Sequence, residues 1–344
     1  MAYQGAIDWG ASISRRWRLA IVDIPTWADG GVVDGVVDVS VSRDRDGDLI
    51  ESGTATIAMP IDERPSEFVG RIEMLADGGT ATERHPIATL RFVPGRSVIH
   101  SGRRLVDYDC YSVLRPAETR KMLAGTYVPK SADGAGWVAS LLGECMKAPV
   151  HTQGSFALTE HYSYDGGTSY INAVWELLDK VGWCLRIDER GEVTVMPLPK
   201  EPALVLDNAN AKLLDPELES DDGLADVKNR WIAVQNGTMA ISVDESDLQS
   251  SYTVRGYYVD DYEESPTRLE GETLQDYVDR KRDEATSTAG TRTYTRAWVP
   301  EVLPFDIVRG SISSVGLDCD MRVKSQDLTL GTTSMVTEVS EVLR

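Results

Sequence analysis

The sequence predicts a mainly β protein with one α/β insertion near its middle, and three observations carry that reading. Short runs with a two-residue apolar period, separated by Gly, Asp and Pro, occupy the first 115 residues. Spacings of three and four replace them over 116–203, and the two-residue period returns over 204–344. Period two marks half-buried strands and spacings of three and four mark amphipathic helices, so a β segment, a small α+β domain and a second β segment are expected in that order. The 344 residues suit two or three folding units at roughly 100–200 residues each.

In Gly53 to Met59, Ala55, Ile57 and Met59 point one way and Thr54 and Thr56 the other. Val106, Tyr108 and Cys110 are set against Asp107 and Asp109 in the same manner. Similar runs at Trp17–Ile24, Val32–Val41, Phe68–Leu75 and Ile87–Val93 complete a set of short strands that fits a sandwich or a barrel. After Pro116 the apolar residues Trp137, Val138, Leu141, Leu142 and Cys145 predict a helix that begins beyond Asp133-Gly134. A second helix follows Asp165-Gly166-Gly167, where Thr168 or Ser169 can cap the open amides. Ile171, Val174, Trp175 and Leu178 form its apolar face and Gly182 stops it. Trp183, Leu185 and Ile187 then alternate into a turn at Glu189-Arg190-Gly191, and Val193–Met196 return as a strand; Pro197, Pro199 and Pro202 read as a linker. Further strands are expected at Val227–Gln235, Met239–Val243, Tyr252–Val259, Arg292–Val299, Met321–Leu330 and Met335–Leu343. One helix interrupts them, capped by Thr273, with Leu274, Tyr277, Val278, Lys281 and Ala285 on one face, and ending near Gly290. No internal repeat is visible.

Fifty-five acidic against 35 basic side chains give a net charge of −20. Tight nucleic-acid binding is not expected, because that affinity comes mainly from Lys and Arg displacing counterions. The acidity serves either solubility or a negative wall past which DNA slides without sticking. Cys110, Cys145, Cys184 and Cys319 form no C-x-x-C pair and read as reduced core residues. The N-terminal MAYQGAIDWG lacks a basic region followed by an apolar run, and no stretch approaches the roughly 20 apolar residues of a membrane helix, so synthesis and folding in a cytoplasm are expected.

Catalytic motifs are scarce. The four histidines, His85, His100, His151 and His161, accompany no G-x-S-x-G elbow and no H-E-x-x-H pair. Asp44, Asp46 and Asp48 alternate around Gly47 with Glu51 beyond and form the best cation candidate, but the run is shorter than an EF-hand loop and a solvated turn explains the same residues. Gly166-Gly167-Thr168 could meet an anion at a helix start, yet it lacks the Walker lysine, and capping is the simpler use. Asp260-Asp261-Tyr262-Glu263-Glu264 reads as a solvated loop. No cofactor is expected.

The order of these features resembles the baseplate hub, or tail-tip hub, proteins of tailed phages and phage-derived injection particles. The likeness rests on GTATIAM, Val93-Pro-Gly-Arg, Tyr108 to Arg115, the phrase Tyr164-Asp-Gly-Gly-Thr-Ser-Tyr-Ile-Asn-Ala-Val-Trp-Glu-Leu-Leu and the strand turn beginning at Gly182. Val227-Lys-Asn-Arg-Trp-Ile-Ala-Val, the helix Leu274 to Ala285, Pro304-Phe-Asp-Ile-Val and the closing strand pair fit as well. The resemblance implies two tube-like β-barrel domains, 1–115 and 204–344, around the small domain 116–203. It further implies a homotrimer acting as a structural, non-enzymatic symmetry adapter in the virion tail. Its expected partners are the sixfold tail tube or distal tail protein, the threefold central spike or tail-tip fibre, and the tape measure protein, and its lumen would be an acidic passage for DNA ejection. Some such hubs continue into a peptidoglycan hydrolase; this chain ends at Arg344, so wall digestion is expected of another protein.

Two rival readings stand beside it. A tail-associated cell-wall hydrolase, glycosidase or peptidase, would use an acidic pair among Asp165, Glu176 and Asp188. A glycan-binding module would gather Trp9, Trp27 and Trp298 in one groove. Interfaces favour aromatic residues and Arg at their centres, which selects Trp17, Trp231, Arg296 and Trp298 as interface candidates, although burial in the subunit's own core explains each tryptophan equally well.

Overall fold

A computed structural model describes residues 14–77, 82–207, 219–221, 227–298, 302–313, 316–330 and 335–343. The first segment holds β1 (Ser14–Asp23), β2 (Ala28–Val33), β3 (Val36–Asp44), β4 (Glu51–Met59), β5 (Phe68–Asp77), β6 (Thr82–His100) and β7 (Arg103–Ser112). The middle holds α1 (Arg115–Thr119), β8 (Tyr127–Val128), α2 (Gly134–Gly143), β9 (Val150–Thr152), β10 (Tyr162–Ser163), α3 (Tyr170–Val181), β11 (Trp183–Ile187) and β12 (Val193–Pro197). The remainder comprises β13 (Pro202–Asp207), β14 (Glu219–Asp221), β15 (Arg230–Gln235), β16 (Thr238–Val243), α4 (Tyr252–Arg255), β17 (Asp260–Glu264), α5 (Leu274–Thr286), β18 (Thr288–Ala297), β19 (Ile307–Ile312), β20 (Leu317–Thr329) and β21 (Met335–Leu343). The fold is mainly β, as the periodicity predicts.

The first segment is a barrel. β1, β5, β6, β7 and β4 pair antiparallel in that order. The chain from Ala28 to Asp44 closes the circuit, with β2 on β1 and, after a bend at Asp34-Gly35, β3 on β4. The run Val32–Val41, expected as one strand, is thus two strands bent at a glycine. Gly35 has φ +77°, and a Cβ there would sit 2.0 Å from the carbonyl oxygen of Ala58, so no other residue fits without moving the next strand. The alternating apolar positions fill the interior, with Ile57, Ile72, Met74, Leu90 and Phe92 all 2% exposed or less.

In the middle segment α2 and α3 cover the three-stranded sheet β11-β12-β9 and share one core with it. Local chemistry sets both helices. The side chain of Asp133 accepts the Gly136 amide at the start of α2, that of Ser169 accepts the Asn172 amide at the start of α3, and Gly182 ends α3 in the left-handed conformation. Pro197 to Pro202 is no free linker, because Pro202 already belongs to β13, which pairs in parallel with β19.

In the last segment β18, β21, β20 and β19 run side by side, and a separate sheet β16-β15-β17 is covered on one face by α5. A reciprocal cap between Thr273 and Asp276 opens α5. Two expectations fail here. The β-branched and aromatic residues of Tyr252–Val259 predict a strand, but Ser251 caps a single helical turn that Gly256 ends. The acidic run 260–264 is a strand and not a loop; its charges are tolerated because Arg230 takes Asp260 at 2.6 Å and Lys180 takes Glu263 at 3.4 Å.

The first and last segments share one sheet. Ser325 to Thr329 of β20 pair with Asp44 to Ser40 of β3, and among the described residues the joined sheet contains thirteen strands. Trp298, Leu328 and Val336 of the last segment accordingly pack in the core of the first.

Candidate functional site

The joined sheet has a solvent face made of small polar and acidic side chains. One cross-strand row reads Thr295, Thr337, Asp327, Ser42, Ser52, Tyr111, running over β18, β21, β20, β3, β4 and β7. The next rows on β3, β4 and β7 read Ser40, Thr54, Asp109 and Asp38, Thr56, Asp107. Hydroxyls bridge the strands: Ser40 to Thr54 at 2.9 Å, Thr295 to Thr337 at 3.2 Å, and Thr56 donates to Asp107 at 3.1 Å. Such pairs contribute about 0.2–1 kcal/mol each. Asp38, Asp107, Asp109 and Asp327 are exposed and none has an ion pair among the described residues. The first row continues across β6 to Arg91, which pairs with Glu67, and the Arg115 guanidinium lies 4.7 Å from the Tyr111 ring centroid. The four carboxylates give this part of the face fixed negative charge.

Directly beneath lies a buried polar row, one residue out of phase. Glu51 of β4, Arg43 of β3, Gln326 of β20, Glu338 of β21 and Tyr294 of β18 are each 2% exposed or less and stand opposite one another in five neighbouring strands. Arg43 donates to Glu51 at 2.8 Å and to Gln326 at 3.3 Å, and Gln326 donates to Glu338 at 2.9 Å. Arg296 donates to Glu338 at 2.6 Å, and the Tyr294 hydroxyl donates to the same carboxylate. Burial pushes the Glu51 carboxyl up to about 7, with Arg43 pulling the other way. Burial, reinforced by Glu338, likewise holds the Tyr294 hydroxyl well above its ordinary range. Breaking one partner of a buried ion pair costs about 3–5 kcal/mol, which applies to Arg43–Glu51 between β3 and β4 and to Arg296–Glu338 between β18 and β21, while the Arg43–Gln326 hydrogen bond crosses from β3 to β20.

At one end the sheet is open. β5 leaves β6 after Phe92, so residues 93–100 of β6 pair with β7 alone. Val98 and Ile99 there are 44% and 61% exposed, and Arg96 and Arg103 of the same hairpin have no ion pair among the described residues.

The residues singled out in the sequence are scattered. Trp231 lies under α5, Trp298 lies in the barrel core edge-on to His85, and Arg296 lies in the polar row; each is 3% exposed or less, whereas Trp17 is half-buried against the barrel core. Three of the four interface candidates are therefore spent inside the chain. Asp44 accepts the Asp46 amide at 3.0 Å, Asp46 pairs with Lys324 at 2.8 Å, and the Asp48 carbonyl accepts Trp175 Nε1 at 2.8 Å, which together make a turn. No group of three or more metal-binding side chains occurs among the described residues. Glu176 accepts the Tyr162 hydroxyl, Asp188 accepts the amides of Arg190 and Glu192, and the Asp165 carbonyl accepts the Thr168 amide, so the three serve separate local structures. His151 faces Glu192 at 3.2 Å, and His161 accepts the Lys130 amide. Trp27 donates to the Arg190 carbonyl at 2.9 Å, while Trp9 lies outside the described residues. Alternation in the sequence already separates the threonines and aspartates of β4 and β7 from the core. It carries no signal that β20 and β21 extend the same face.

No protein-family model matches this chain, and no curated protein does. Solved structures share its fold. The tail protein from Neisseria meningitidis MC58 superposes with a TM-score of 0.67 at 12% identity, over 95% of this chain and 96% of that one. The 43 kDa tail protein of prophage MuSo2 from Shewanella oneidensis gives 0.65 at 11%, over 96% and 97%. Prophage tail protein gp18 from Listeria monocytogenes EGD-e gives 0.55 at 11%, over 94% of each. The chain has the fold of these tail proteins, two of them from prophages, along nearly its whole length, which agrees with the resemblance read from the sequence.

Proposed function

We propose that this chain is the hub of a phage or phage-derived tail. Three copies form a ring that adapts a sixfold tail tube or distal tail ring to a threefold spike or tip fibre, and the tape measure protein and then the DNA pass through its centre. The observation that carries this reading is the joined sheet, whose face of Ser, Thr and Asp side chains spans both β-rich segments. Turned inward, that face would line a channel with negative charge and let a polyanion slide without binding. The open edge of β6 and its unpaired arginines suit a contact with a neighbouring copy, since an exposed strand edge is a template for pairing. A heterologous contact of this sort closes into a ring when its rotation permits. The acidic residues of the middle segment, Asp165, Glu176 and Asp188, serve separate local structures.

Native mass measurement with electron imaging of the purified protein tests the proposal. Three chains around an open centre, inert toward cell wall, are expected. A solitary chain, or wall digestion lost on Glu176→Ala, would sink it.

A further inference from the structure

The sheet β16-β15-β17 is covered on one side only. Trp231, Ala233 and Ala240 turn toward α5 and are buried. The alternate positions stand in two uncovered rows, Met239, Val234, Glu264 and Ile241, Ile232, Tyr262. Met239, Ile241 and Tyr262 are 61%, 40% and 55% exposed, and Tyr258 extends the surface beside Arg230, whose guanidinium lies 4.0 Å from its ring centroid. Single exposed apolar side chains are ordinary, but a contiguous group on one sheet face marks a contact surface. The charges left there are negative. Arg230 is matched by Asp260 at 2.6 Å, and Lys228 acts on the same carboxylate. Glu264 accepts the Tyr262 hydroxyl at 3.1 Å, and Glu245 acts on Tyr258; neither carboxylate has an ion pair among the described residues.

The β6–β7 hairpin has the complementary character. Residues 94–105 hold Arg96, Arg103 and Arg104 and no carboxylate, in a chain with 55 acidic and 35 basic side chains. Arg104 donates to the Ile61 carbonyl, whereas Arg96 and Arg103 have no ion pair among the described residues; Asp107, next along β7, accepts the Thr56 hydroxyl. Between the two arginines, Val98 and Ile99 are exposed on a strand whose outer edge is open. The spans agree as well. Arg96 lies four positions from His100, which faces Arg103, and Glu264 lies four positions from Asp260, so each stretch covers about 13 Å at roughly 3.3 Å per residue. We propose that Val98 and Ile99 of one copy seat on Met239, Ile241 and Tyr262 of the next, with Arg96 and Arg103 toward Glu264 and Glu245. A second copy is the occupant because each chain brings both halves, and a head-to-tail contact of unlike surfaces closes into a ring when its rotation permits. Face against face would set carboxylate against carboxylate. The inference rests on the ring proposed above and deepens it by naming the surface that receives the open hairpin.

The test joins Ile99→Cys to Ile241→Cys in the full chain, with the half-buried Cys145 and Cys319 replaced by Ser. Copper phenanthroline in air should link chains into covalent species of up to three on a non-reducing gel, and either new cysteine alone should give none. In a second arm, Arg96→Glu with Arg103→Glu, both on the exposed hairpin, should raise the dissociation constant of the assembly about tenfold or more by native mass measurement. A three-chain parent that gives no cross-link, that cross-links as well with one new cysteine as with both, or that keeps its affinity after the charge reversal would overturn this contact and leave the hub reading standing. A parent that stays a single chain would overturn both.

Discussion

At the scale of single residues, burial turns ordinary side chains into decisive ones. Glu51 shows this most clearly, since its carboxyl is raised from 4.5 to about 7 mainly by burial. The folded state thus holds this proton more tightly than the unfolded chain does. Stability contributed by the protonated form is present below pH 4.5 and is lost as pH rises toward 7, by up to about 3 kcal/mol. Glu51→Gln should remove this dependence. Urea midpoints at pH 5 and pH 8 are expected to differ more in the parent than in the variant, and parallel curves would show that Glu51 is ionised throughout. Arg296 teaches a related lesson. Its composition suits an interface, but the alternation of Tyr294, Arg296 and Trp298 puts all three on the buried side of β18, where Glu338 supplies the counter-charge.

At the scale of elements, closure of the barrel rests on one bend. Gly35 and Gly102 have nearly the same left-handed backbone, φ +77° and +78°, but a Cβ at Gly102 meets nothing within 4 Å whereas one at Gly35 would collide with Ala58. Gly102→Ala should cost about 1–2 kcal/mol for the backbone conformation alone. Gly35→Ala should cost at least about 2 kcal/mol more, because β2 or β4 must shift to admit it. Thermal unfolding of the two variants separates the terms, and equal melting temperatures would mean that the β2–β3 bend does not hold the barrel shut. The helices follow a simpler logic. Most of their ends were legible in the sequence because caps act over three or four residues: Asp133, Ser169 and Thr273 cap the starts and Gly182 stops α3, but α5 ends at Thr286, and Gly290, expected near its end, lies in β18. Composition misled where a local cap overrode it, as Ser251 and Gly256 do around α4, and at 260–264, where ion pairs let an acidic run form β17.

At the scale of the whole molecule, the charge of −20 acquires a location. Asp107, Asp109 and Asp327 share one face with hydroxyl side chains, and replacing all three by Lys should make the assembled protein retain duplex DNA, with affinity falling steeply as salt rises. Lys at Glu201, Glu245 and Asp247, which are equally exposed but lie outside this face, should not. Equal retention by both triple variants in a gel-shift series would remove the special role of the sheet face. The sequence by itself determined which residues alternate, where helices start and stop, and that the chain is mainly β, since these depend on neighbours a few positions apart. It also placed Arg43 in phase with Val39 and Val41, and Glu338 in phase with Val336, on the inner side of their strands. Only the tertiary structure decided that Arg43 meets Gln326 across 283 positions and that the β3–β20 ladder joins both β-rich segments into one sheet. It alone decided, too, that Tyr262 joins Met239 and Ile241 on one uncovered face. Period two assigns a residue to a face of its strand, whereas the choice of neighbouring strand is made by hydrogen-bond and charge complementarity between segments that no local pattern connects.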